Sequence, residues 1–106
     1  MSDDMYTPWG IVRVKQQLAE DVFLVQTPDE QHGGILISTT RAEEILSDKA
    51  RTIGQIWQEF LAFEQESAMM VVFYEHPELY PWVEEDLTAR FAEESVREGY
   101  PGYFIA

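Results

Sequence analysis

The chain has 106 residues, with 20 acidic against 7 basic side chains, 45% hydrophobic residues, two histidines and no cysteine. That length suits one small core, and an apolar fraction near the globular average argues against wholesale disorder despite a net charge of −13. Without cysteine there is no disulfide framework, thiol chemistry, zinc finger or iron–sulfur centre, and seven dispersed bases exclude direct binding to nucleic acid.

The opening Met1-Ser2-Asp3-Asp4 has neither the basic nor the apolar region of a signal peptide. No uninterrupted apolar run reaches the roughly 18 residues of a membrane span, so a cytoplasmic protein is expected. Gly10 to Lys15 sets Val12 and Val14 against Arg13 and Lys15, the alternation of a half-buried strand. Asp21 to Thr27 is a second strand stopped by Pro28, with a hairpin connection predicted around Gln17 to Glu20. Pro28 to Gly34 reads as a loop, and Gly34 to Ser38 as a third strand.

Helical signals follow. Thr40 and Glu43 fit a capping box for a short helix to about Asp48. Ile53, Ile56, Trp57, Phe60, Leu61 and Phe63 recur at three and four residue spacings, which predicts a helix over residues 53–65. The run from Ala68 to Tyr74 is continuously apolar and rich in valine and aromatics, so it predicts a central buried strand, ended by His76 and Pro77. Pro81 starts a last helix reaching about Glu98, with Val83, Leu87 and Phe91 turned to the core. The apolar segment from Tyr100 to Ala106 is expected to dock on the body. The fold class is α+β: one domain over residues 1–106, a mostly antiparallel sheet of about four strands with about three helices.

Thr7-Pro8-Trp9-Gly10 before the first strand and His32-Gly33-Gly34 before the third form a pair of short motifs. Over residues 7–38 the chain resembles small uncharacterised domains of proteobacterial phages, plasmids and integrative elements. The resemblance implies no reaction, fold or catalytic residue. It implies a mobile-element setting, in which small acidic proteins, anti-CRISPR proteins among them, often block host defence or replication machinery.

The charge is unevenly placed. Residues 1–53 hold nine acids and five bases, residues 54–106 eleven acids and two bases, and no Lys or Arg falls between Arg51 and Arg90. Such a surface presents a field like that of a phosphate backbone to a basic groove. Glu64, Glu66, Glu75, Glu78, Glu84, Glu85, Asp86, Glu93 and Glu94 are the candidate contact set, joined by the aromatic residues Trp82 and Tyr103. The partner so implied is a basic nucleic-acid-handling protein: a nuclease, a polymerase or a CRISPR effector.

No recognised catalytic or metal-ligating pattern is present, since neither His32 nor His76 has a partner histidine at helical spacing and no serine lies in a glycine elbow. A non-enzymatic protein without cofactor or metal is expected. Two other readings stand beside it. One is an accessory domain with a merely solvated acidic surface that self-associates, as a homodimer, through its apolar terminus. The other is a small hydrolase or ligand-binding domain centred on His32.

Overall fold

Strand-forming sequence fills the first forty residues. The computed structural model, which describes residues 4–7, 9–29, 31–65, 67–80 and 84–104, folds it into four consecutive antiparallel strands. These are β1 (Asp4–Thr7), β2 (Gly10–Ala19), β3 (Val22–Gln26) and β4 (Gly33–Ser38). Thr7 closes the β1–β2 turn: its hydroxyl donates to the Gly10 carbonyl at 2.9 Å and accepts the Trp9 N–H at 3.2 Å. Gly10 has φ +102°, a conformation that side chains disfavour.

In β2, Val12 is buried while Arg13 and Lys15 are exposed, as the alternation predicts. Register shifts after Val14 and again after Gln17 then carry the strand on to Ala19. The expected connection of residues 17–20 therefore contracts to Glu20 and Asp21, where Asp21 takes φ +58°. Beyond β3, Thr27 closes the loop on His32: its N–H donates to the His32 carbonyl at 2.9 Å, and its hydroxyl accepts the His32 N–H at 3.2 Å. Asp29 accepts from the Thr27 hydroxyl at 2.6 Å and the Gln31 N–H at 3.1 Å, bonds that hold its carboxyl below the usual range.

Two short helices follow, α1 (Thr39–Ile45) and α2 (Asp48–Ile53). Each begins on a serine, Ser38 accepting from the Arg41 N–H and Ser47 from the Ala50 N–H, both at 3.1 Å. Thr40 lies inside α1 rather than at its cap. The predicted helix over 53–65 is instead a hairpin of β5 (Gln55–Trp57) and β6 (Phe60–Glu64), turned at Gln58 with φ +53°. α2 ends at Gly54, where a side chain has no room: a Cβ would stand 2.6 Å from Leu61 Cγ and 2.8 Å from Phe63 Cζ. The predicted strand over 68–74 is a helix, α3 (Ser67–Glu75). Its run is apolar all round because it is enclosed, with Val71, Val72 and Phe73 fully buried.

A 3-10 turn (Pro77–Leu79), α4 (Glu85–Gly99) and a final 3-10 turn (Pro101–Phe104) complete the described chain. Among the described residues the sheet thus has six strands, ordered β1-β2-β3-β4-β6-β5 and antiparallel throughout, with four α-helices. β4 is its centre. On the face carrying the helices, Ile35 and Ile37 join Val22, Leu61 and Phe63 against Ala42, Ala50, Val72, Phe73, Ala92 and Val96. On the other face, Leu36 joins Val12, Val25 and Ala62 in a smaller cluster edged by Trp9, Phe23 and Phe60.

The two motifs of the early sequence are therefore pieces of architecture. Thr7 and Gly10 form the first hairpin turn, and Gly33 and Gly34 let β3 and β6 close on β4. A Cβ at Gly34 would lie 1.9 Å from the Phe63 carbonyl oxygen, and one at Gly33 2.4 Å from that of Val25. Backbone on a central strand has no room to retreat. Gly34→Ala should lower the unfolding free energy by about 3 kcal/mol or prevent folding. Gly102→Ala, where a Cβ meets nothing within 4 Å, should stay within about 0.5 kcal/mol in the same urea titration.

Candidate interaction surface

α4 gathers more of the predicted acids than any other described element. Glu84 is its N-cap residue and Glu85 and Asp86 occupy its first turn, where the unpaired N–H groups favour negative charge. Thr88, Ala92 and Val96, four residues apart, form the buried stripe, and their small size lets α4 lie close against α3. The inward facing predicted for Leu87 and Phe91 is reversed: they are 44% and 55% exposed, one helical position away from that stripe. The predicted Val83 and the Pro81 start lie outside the described residues, as do Glu66 and Trp82 of the contact set.

Along the outer side of α4, Glu94 and Glu98 continue the line of Leu87 and Phe91. Glu84, Glu85, Asp86, Glu94 and Glu98 are exposed and form no ion pair among the described residues. Glu93 is engaged instead, accepting from Arg97 at 3.2 Å, while the Arg97 guanidinium also lies 4.1 Å from the centre of the Phe104 ring.

The other predicted contact residues are dispersed and internally bound. Glu75, at the C-terminal end of α3, accepts the Ser47 N–H at 2.8 Å and the hydroxyls of Ser47 and Tyr103. One carboxylate thereby ties the start of α2, the end of α3 and the C-terminal turn. Tyr103 also packs edge-on against Tyr74 and Phe104, with ring centres 5.7 Å and 5.1 Å apart. The docking expected of the terminal segment is thus seen for residues 100–104, with Tyr100, Tyr103 and Phe104 packed against the main core. All three are half-buried there.

His76 belongs to the same framework. Its Nε2 donates to the Ile45 carbonyl at 2.5 Å, and Glu78 lies 3.0 Å from its Nδ1. It follows a helix rather than a strand. Glu64, at the end of β6, stands 3.9 Å from the exposed His32 ring. Among the described residues, no group of three His, Asp or Glu side chains is placed to hold a metal ion. A cleft of about 650 Å³ opens elsewhere, between α1, α2 and the β5–β6 hairpin, over Ala42, Gly54, Ile56 and Leu61. No helix among the described residues is long and apolar enough to cross a membrane.

Sequence reasoning missed two features of this surface. The outward Leu87 and Phe91 were masked by their own hydrophobicity, although the recurrence of Thr88, Ala92 and Val96 marks a second candidate stripe. The Ser47–Glu75–Tyr103 junction has no local signal, because each partner is 28 residues from Glu75.

Partial burial, followed by the bond to Glu75, holds the Tyr103 phenol well above its ordinary value of 10.0. An unfolded chain releases that proton near pH 10 while the folded chain keeps it. The stabilisation is therefore complete below about pH 10 and falls as pH rises beyond it. Urea titrations between about pH 9 and 11 should show this fall. Tyr103→Phe should make the slope shallower and lower stability at pH 7 by about 1 kcal/mol.

A family model described as a domain of unknown function, DUF7007, matches residues 2–106. The match extends well beyond the segment that carries the two early motifs. No curated protein and no solved structure matches the chain.

Proposed function

The chain belongs to the DUF7007 family, and we propose that it is a non-enzymatic acidic interaction protein that occupies the nucleic-acid-binding groove of a basic partner. The observation that carries this reading is α4. From Glu84 to Glu98 it holds six carboxylates and two bases, Arg90 and Arg97, the latter already paired with Glu93. Fourteen helical steps span about 21 Å, or one carboxylate per roughly 3.5 Å of axis. That is near the 3.4 Å per phosphate of one DNA strand. Net of Arg90 and Arg97 the segment carries one negative charge per roughly 5 Å, sparser than a DNA strand but of the same sign, and a groove lined with Lys and Arg would release its own anions on contact with it.

Glu84, Glu85, Asp86 and Glu94 are the residues assigned to this contact, with Glu98 added. Glu75 and Tyr103 are left to the framework. The resemblance of the Thr7 to Gly10 and His32 to Gly34 motifs supports a phage or mobile-element setting, where the blocked partner would be a host nuclease, a polymerase or a CRISPR effector.

The test is competition. A basic host protein captured by the chain at low salt should lose its bound DNA when the chain is added, and the affinity should fall on the order of a hundredfold between about 50 and 200 mM salt. Reversing Glu84, Glu85 and Asp86 together to Lys should abolish the competition and leave the circular dichroism spectrum unchanged. A captured protein that keeps its DNA, or a triple variant that competes as before, would refute the proposal.

A further inference from the structure

We infer that the outward ridge of α4, with Leu87 and Phe91 at its middle, is a docking surface for a basic amphipathic helix of a partner protein. This rests on the basic-partner reading above and adds the shape of the contact. A purely electrostatic mimic has no use for two large apolar side chains in water. At four residues' separation Leu87 and Phe91 are neighbours on the helix surface, and burying what they still expose would favour a complex. Neither belongs to the core, because Thr88, Ala92 and Val96 provide the inward stripe.

The ridge is acidic at both ends, with Glu84 and Glu85 before Leu87 and Glu94 and Glu98 beyond Phe91. Beside Phe91 a shallow cleft of about 350 Å³, lined also by Glu94, Ser95, Arg97 and Glu98, provides a recess for an incoming side chain. The matching ligand is a helix of about four turns with apolar residues at i and i+4 and Lys or Arg toward both ends.

Charge decides the occupant. A second copy would set the same acidic ends against each other across a two-fold axis, in a chain of net charge −13. A cationic helix meets opposite charge at each end. Arg90, also on the exposed side, and Arg97, which lines the cleft and pairs with Glu93, are the opposing bases.

The experiment uses the whole chain and three synthetic probes of equal charge: a Lys-flanked amphipathic helix with leucines at i and i+4, its scrambled isomer, and an oligolysine. The amphipathic peptide should bind at least tenfold more tightly than the other two and shift the amide signals of residues 86–98. Leu87→Ser and Phe91→Ser, at exposed positions that leave the helix intact, should each weaken it severalfold while oligolysine binding is unchanged. Equal binding of all three peptides, with the serine variants neutral, overturns the ridge and leaves the basic-partner reading standing. Failure of every cationic peptide to bind at low salt overturns the ridge together with that reading. Dimerisation of the chain itself through Leu87 and Phe91, seen by sedimentation, also overturns it.

Discussion

Everything in this molecule is arranged around β4, a strand buried on both faces and paired along both edges. Its alternate side chains must satisfy two cores at once, Ile35 and Ile37 toward the helices and Leu36 toward Val12, Val25 and Ala62. Its first two residues admit no Cβ, because the carbonyl oxygens of Val25 and Phe63 close in from either side. Once β6 is held there, β5 is left at the sheet margin and α3 must cover Phe63 and its neighbours. α3 is apolar all round and buries both inward and outward, so α4 can only be the outermost layer. The exposure of the α4 ridge is thus a consequence of layering.

What the sequence made legible were segments whose local pattern and tertiary role agree. Val12 and Val14 alternate against Arg13 and Lys15 and do sit in a half-buried strand; Gly34 to Ser38 is a strand, and the last long helix is present from Glu85. The errors fell where short apolar runs satisfy two periodicities. Leu61 and Phe63 fit a helical stripe with Ile53 and Ile56, yet they also alternate with Phe60 and Ala62, and pairing with β4 decides for the strand. Ala68 to Tyr74 has the composition of a buried strand, but Ala and Met at its start are strong helix formers and the helical layer needed an enclosed element. Leu87 and Phe91 were misplaced by a single helical step, because close packing favoured small side chains over the most hydrophobic ones.

The tally of carboxylates divides in the same way. Glu64, Glu75, Glu78 and Glu93 answer partners within the chain, namely His32, Ser47 with Tyr103, His76 and Arg97. Only the last of these pairs lies at helical spacing, so the others cannot be separated from solvated charge by inspection of the sequence. Among the described acids of the second half, those without an ion pair or side-chain bond are concentrated on α4 and its cap. The acidic second half therefore holds a framework of ties and, beside it, an exposed array.

The margin strand β5 has its own relation to this charge. It is three residues long, and Ile56 on it is 73% exposed beside backbone groups that no further strand covers. Open margins of that kind are templates for pairing between molecules. Neither proline nor lysine guards this one, and its brevity alone limits the hydrogen bonds a second copy could gain. The long-range repulsion of a chain with an isoelectric point near 4.3 supplies the remaining protection at neutral pH. Acidity concentrated on one helix thus also keeps like molecules apart at the sheet, a protection that fades as pH falls toward the isoelectric point.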